Sequence, residues 1–149
     1  MNIRKVNIYI AFKLPAAWLC GVRLKEITQK HALTTVSYKW INQNPFQSMY
    51  FAVQSMAAEL STGSLVMQAI RESKKEISML VLNHKGSFYK KAVGRITFTC
   101  EDGLKLEEVI QKTFNDNEPK TCWMKSIGRN ERGEIVSEFD FEWTLKSKI

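Results

Sequence analysis

Cysteine is sparse in this sequence: Cys20, Cys100 and Cys122 are the only three. Their number is odd and no Cys-x-x-Cys pair exists, so neither a disulfide framework nor a zinc site is signalled. Reduced, buried thiols are expected instead, which favours a cytoplasmic location. Histidine is scarcer still, with His31 and His84 alone, far apart and at the ends of expected strands. No Gly-x-Ser-x-Gly elbow, phosphate-binding glycine loop or His-Glu-x-x-His pair occurs. Ser-His-Asp, Cys-His and zinc-hydrolase mechanisms thus have no support, and neither a metal nor a cofactor is expected. No segment reaches the roughly 18 uninterrupted apolar residues of a membrane span. The run Ile8–Phe12 is cut short by Lys13 and Pro15, which also suits a secretory signal poorly. Residues 1–19 are therefore read as a helical segment packed on the domain. No linker, repeat or low-complexity stretch divides the chain, so residues 1–149 are expected to form one domain.

What is present is the balance of an ordinary globular protein, 44% hydrophobic and 25% charged, with a surplus of seven positive charges. Such a surplus draws anionic partners: nucleic acid, anionic lipid or a phosphorylated cofactor. The basic residues are scattered, and the adjacent pairs are Arg4-Lys5, Lys74-Lys75 and Lys90-Lys91. No basic stripe interleaved with exposed aromatics appears, which argues against nucleic acid.

Alternation with a period of two is the clearest pattern. Val36, Tyr38 and Trp40 alternate with polar residues, as do Ile96, Phe98 and Cys100. Phe139, Phe141, Trp143 and Leu145 do the same near the end. Each predicts a strand with one buried and one wet face, the habit of antiparallel sheets. Weaker strands are expected over 22–28, 77–89 and 121–127, the last leading into a glycine-bounded hairpin connection at 128–133. Leu106, Val109, Ile110, Thr113 and Phe114 fall at helical spacing and predict a short amphipathic helix within 103–118. A second, longer helix is expected from about Phe46 to Arg71, apolar or small on nearly every face and therefore buried on all sides. Covering so long a helix takes a broad curved sheet. The expected fold is α+β, six antiparallel strands wrapped around one central helix.

Between Ile41 and Ile70 one residue is charged, Glu59. A buried carboxylate without a partner is costly enough that it neutralises or finds donors. Desolvation would raise its pKa towards the working range of a general base or nucleophile facing a cleft. A structural carboxylate, satisfied by a hydrogen bond or an ion pair across an interface, would leave the same trace. Ser55, Thr62 and Gly63 lie one helical turn from Glu59 and make a small, polar face. Either a substrate cleft or a contact between subunits would use such a face.

The stretch Asn44-Pro45-Phe46-Gln47-Ser48-Met49-Tyr50-Phe51-Ala52, followed by Glu59, resembles the start of the central helix in hotdog-fold thioesterases. Those related to the phenylacetate-degradation thioesterase are the most similar group. They show Asn-Pro, then a His-Gly-Gly six residues on, then an acid nine beyond the histidine. Here Tyr50 takes the histidine position and Glu59 the acid. Ser87-Phe88-Tyr89-Lys90-Lys91-Ala92 is similar to the Phe-x-x-Pro-Ala region of that family. The resemblance covers about residues 15–148, and the 104–115 helix looks like an insertion in an uncharacterised branch of the group.

The resemblance implies a hydrolase of acyl-CoA or another acyl thioester, with sites at the interface of a homodimer or tetramer. Coenzyme A would enter only as part of the substrate. Glu59 would be the base or nucleophile, and Asn44 would orient the carbonyl or water. Backbone N–H of Phe51 or Ala52 would be the oxyanion donor, and Tyr50 could supply a hydroxyl in place of the histidine. Ser55 would line the cleft, while Lys90, Lys91 and Arg95 would lie where the family receives CoA phosphates. Asn44 also suits a helix N-cap, and the lysines suit a solvated turn. The sequence departs from the pattern where His-Gly-Gly has become Tyr50-Phe51-Ala52, because a phenylalanine side chain can block an approach that glycine permits. A non-catalytic acyl-CoA or fatty-acyl binder is thus the first alternative, and a structural oligomeric module the second.

Overall fold

Along the last strand, Phe139, Phe141, Trp143 and Leu145 are buried while the residues between them are partly wet, as their alternation requires. The same rule organises the rest of the sheet. The computed structural model describes residues 1–148. In chain order the elements are α1 (Ile3–Lys13), α2 (Pro15–Leu19), β1 (Arg23–Ile27), β2 (Ala32–Ser37), α3 (Phe51–Ser73), β3 (Ile77–Phe88), β4 (Arg95–Cys100), α4 (Lys105–Asp116), β5 (Lys120–Arg129) and β6 (Ile135–Ser147). The six strands form one antiparallel sheet in the order β1-β2-β4-β5-β6-β3. It curves around α3, whose 23 residues span about 35 Å at 1.5 Å per residue.

Most buried polar side chains on α3 are satisfied, Gln68 Oε1 being an exception, which lets the helix keep serines, threonines and glutamine inside the sheet. Thr34 Oγ1 of β2 donates to the carbonyl of Ala57 at 2.6 Å. Ser61 and Ser126 of β5 share a hydroxyl hydrogen bond of 2.7 Å. Ser137 Oγ of β6 donates to Gln54 Oε1 at 2.8 Å, and Trp143 Nε1 donates to Thr62 Oγ1 at 3.0 Å. Each such bond contributes about 1 kcal/mol net, and together they fix the register of helix on sheet. Thr62 and Gly63 therefore pack on Trp143. The small polar face expected around Glu59 is not one continuous face, and only its Ser55 side looks into a cleft.

Three local expectations are corrected. The central helix begins at Phe51, five residues later than the pattern suggests, because Asn44 folds the preceding segment into a loop. Its Oδ1 accepts from the N–H groups of Phe46 and Ser48 at 2.9 and 3.2 Å, and its own N–H donates to the Ser48 carbonyl. Asn44 is therefore not the N-cap of α3. Tyr50 holds that position without any side-chain capping bond. The second strand ends at Ser37 because buried Asn42 donates to the Ser37 carbonyl and accepts from the Lys39 N–H. Trp40, expected on the buried face, sits in a single 3-10 turn, 82% exposed. The N-terminal segment is two helices, since Pro15 forces Leu14 out of helical geometry (φ −128°, ψ 56°).

Helix α4 buries Leu106, Ile110 and Thr113 against the domain. Its approach depends on Gly103, whose N–H donates to the Lys30 carbonyl at 3.0 Å. A Cβ there would stand 2.1 Å from the backbone oxygen of Gln29. Backbone cannot yield as a flexible side chain does, so Gly103→Ala should cost about 2–4 kcal/mol and lower the thermal midpoint by roughly 5–15 °C in calorimetry. An unchanged midpoint would mean that the β1–β2 turn moves freely.

Candidate active site

The first turns of α3, the end of α1 and the start of α2 line an open groove together with β3 and β6. Its volume is about 710 Å³, within the range of small-molecule sites, and its lining is almost wholly apolar. Phe51, Ala52, Ser55, Met56 and Glu59 come from α3, and Val81, His84 and Phe141 from the sheet. Of the residues named from the sequence, the groove thus collects Glu59, Ser55, Phe51 and Ala52.

Glu59 is the acid of this groove. One helical turn on, a Cβ at Gly63 would lie 3.1 Å from Glu59 Oε1 and 3.1 Å from the Trp143 ring, so the carboxyl is seated beside the indole. Among the described residues no donor or cation pairs with it, and desolvation pushes its pKa up to about 7. A carboxyl in this state takes and gives protons near neutrality. Gly63→Ala should force the carboxyl or the indole aside by a few tenths of an ångström. Any turnover that depends on the placement of Glu59 should then fall about tenfold or more, with little change in fold.

Two backbone N–H groups, those of Phe51 and Ala52, open the same helix about two turns before Glu59 and have no acceptor among the described residues. At a helix N-terminus they are suited to a developing oxyanion. The Phe51 ring stands 55% exposed in this lining and packs edge-on against Tyr50 at 5.0 Å and Phe88 at 6.3 Å.

The other named residues lie outside the groove. Asn44 spends its side chain within its own loop, donating to Ser48 Oγ and the Met49 carbonyl and accepting from Ser48. Tyr50 is half exposed at the helix start and does not line the groove. Lys90 and Lys91 border a separate depression near the β5–β6 connection. Lys90 is paired with Glu134 at 2.6 Å, which together with Asn130 holds that carboxyl down at about 2. Lys91 donates to the Phe46 carbonyl at 3.0 Å, and the backbone N–H of Arg95 donates to Glu131.

Two groove residues escaped the sequence reading. His84, expected at a strand end, sits mid-strand in β3; it is exposed, as expected, but stacks on Phe141 with ring centres 5.5 Å apart and so lines the groove. Lys13, at the end of α1, supplies a cation to the groove lining. The cysteines offer no competing nucleophile there: burial pushes Cys100 up to about 12 and raises Cys122 as well. His31 pairs with Glu26 at 2.7 Å beside the β1–β2 turn and is not part of the groove.

Neither a scan of protein-family models nor a search of curated proteins finds a match to this sequence. Solved structures do match. A protein of unknown function from Pseudomonas aeruginosa, named a probable thioesterase, superposes with a TM-score of 0.83 at 17% identity, covering 97% of this chain and 95% of that one. A protein of unknown function from Chlorobaculum tepidum gives 0.85 at 14% identity, over 97% and 94%. A thioesterase from Haemophilus influenzae gives 0.74 at 9% identity, over 99% and 92%. The chain has the hotdog fold of these proteins.

Proposed function

We propose that this protein is an acyl-thioester hydrolase, acting on acyl-CoA or a similar pantetheine ester, with Glu59 as general base or nucleophile. The observation that carries the reading is an unpartnered carboxyl, poised near neutrality in an apolar groove that also takes in Phe51 and Ala52, whose backbone N–H groups at the start of the same helix have no acceptor among the described residues. As general base, Glu59 takes a proton from water while the water oxygen bonds to the thioester carbon. The carbonyl oxygen gathers charge at the Phe51 and Ala52 N–H groups. The C–S bond then breaks, and the thiolate leaves with the proton Glu59 had taken. As nucleophile, Glu59 would instead bond to the thioester carbon and expel the thiolate, giving a mixed anhydride that water opens to the free acid and the Glu59 carboxylate.

The apolar lining suits the acyl chain, and Lys13 at the rim suits an anionic part of the carrier. His84, on the wall opposite α3, would hydrogen-bond the substrate and hold it over Glu59. His84→Ala should lower kcat/KM about tenfold or more, with the thermal midpoint unchanged because the ring is exposed. Full activity in that variant would remove the histidine from the mechanism.

The proposed assembly is a homodimer joined through the free edge of β3, the strand that supplies Val81 and His84 to the groove. The reading is tested by release of free thiol from short, medium, long and aromatic acyl-CoAs, with Glu59→Gln run alongside. Turnover by the parent and none by the variant is expected. A second reading, an acyl-thioester binder without turnover, is favoured by one observation: the Phe51 ring lines the groove at the oxyanion donors. Tight binding with no thiol release on any ester would identify it.

A further inference from the structure

The first 25 residues carry Arg4, Lys5, Lys13, Arg23 and Lys25 and no acid, the first being Glu26. The fold decides what this run of charge accompanies. Helix α1 buries Val6 and Ile10, and the Asn7 side chain both donates to the Leu24 carbonyl and accepts from its N–H, at 2.9 and 3.0 Å. This clamp on the free edge of β1 fixes which side of α1 looks outward. The outward stripe is Arg4, Lys5, Ile8, Tyr9, Phe12 and Lys13.

On a solvated helix that stripe would be polar. Here its middle is apolar, with Ile8 58% and Phe12 80% exposed. Beyond Pro15 the apolar surface continues through Trp18 and Leu19, beside Arg23, whose guanidinium lies 4.6 Å from the Trp18 ring centre. Apolar side chains at the centre and cations at both ends, with no acid from the two helices and Glu72 of α3 at the border beside Arg71, match a surface that is oily inside and anionic at its boundary. Nucleic acid would meet the cations but leave Ile8 and Phe12 unmatched. A second copy docking here would set cation against cation.

We propose that α1 and α2 dock this protein on the surface of an anionic lipid bilayer. Ile8, Phe12 and Leu19 enter the acyl boundary while Arg4 and Lys5 reach lipid phosphates. The segment Lys13–Ala17, which lies between the two halves of this face, also forms part of the groove lining, so a docked molecule holds its groove at the membrane surface. There, acyl chains and their amphipathic thioesters concentrate.

Docking is measured without reference to turnover, by flotation of the full chain with vesicles of phosphatidylcholine, with and without phosphatidylserine. The protein should float with the mixed vesicles, poorly with phosphatidylcholine alone, and should be released as salt rises. Ile8→Ser with Phe12→Ser, and separately Arg4→Glu with Lys5→Glu, should each weaken flotation about tenfold or more. All four residues are exposed, and unchanged circular dichroism and melting would show each variant folded. No flotation with mixed vesicles at low salt, or equal flotation of both variants and parent, would overturn the proposal. So would a change in oligomer mass in the Ile8 and Phe12 variant with vesicle binding intact, which would assign the face to contact between copies.

Discussion

Glu59→Gln should abolish thioester hydrolysis and, at pH 8, yield a more stable protein than the parent. The two effects have one cause. Burial carries the carboxyl from 4.5 to about 7, so the folded protein binds its proton more tightly than the unfolded chain does. Stability from this group is thus complete below pH 4.5, falls as pH climbs through the interval, and is lowest above about 7. Glutamine resembles the protonated acid and carries no charge to bury. After discounting for partial solvent access, the variant should gain about 1–3 kcal/mol at pH 8, or roughly 3–8 °C in thermal midpoint, and nothing at pH 4. Loss of the base should lower kcat by about 10²–10⁴, and the parent's kcat/KM should rise with pH to a plateau above about 7. A structural carboxylate predicts the opposite on stability, since removing one member of a satisfied pair strands the other. Melting of both proteins across pH, beside the turnover assay, separates the two roles. Destabilisation of the variant at pH 8 with turnover retained would sink the assignment.

How much of this site was legible depends on how local its determinants are. Glu59 could be read because it is the only charge between Ile41 and Ile70, and strand parity in β4 and β6 could be read from unbroken alternation. The hotdog architecture followed from a long all-round apolar helix among half-buried strands, together with a family resemblance. His84 could not be read in the same way. From Ile77, Met79 and Val81 the alternation puts even-numbered residues on the outer face. The register with β6 slips between Val81 and Asn83, and beyond that bulge His84 pairs with inward-facing Phe141. One extra residue thus moves the histidine into the groove. Lys13 was hidden for a different reason, because its place depends on how α1 docks against the sheet edge through Asn7. The start of α3 was misplaced because Asn44, a plausible cap by type, satisfies loop N–H groups instead.

The proposed dimer carries the second large effect: Leu80→Lys with Leu82→Lys should produce a monomer with little or no turnover. β3 ends the sheet with 12 residues, and its outer edge has no partner among the described residues. Leu80 is 64% and Leu82 52% exposed on it. A free edge that is apolar from Met79 to Leu82 is a pairing surface where no charge or proline guards it, and lysine, present further along at Lys85, is the usual guard. Antiparallel pairing of β3 with its copy would satisfy both edges by twofold symmetry. It would also bring a second chain beside Val81 and His84, so that the groove, open in one chain, gains a wall from its partner. Excluding water from the Glu59 carboxyl strengthens its interaction with the reacting carbonyl, and losing that wall should lower kcat/KM by about 10²-fold. Light scattering should show a dimer for the parent and a monomer for the double variant, with circular dichroism unchanged. A monomeric parent would rule out the shared site. A monomeric variant with full turnover would keep the dimer but confine the chemistry to one chain, where Glu59, the α3 N–H groups and His84 would have to suffice.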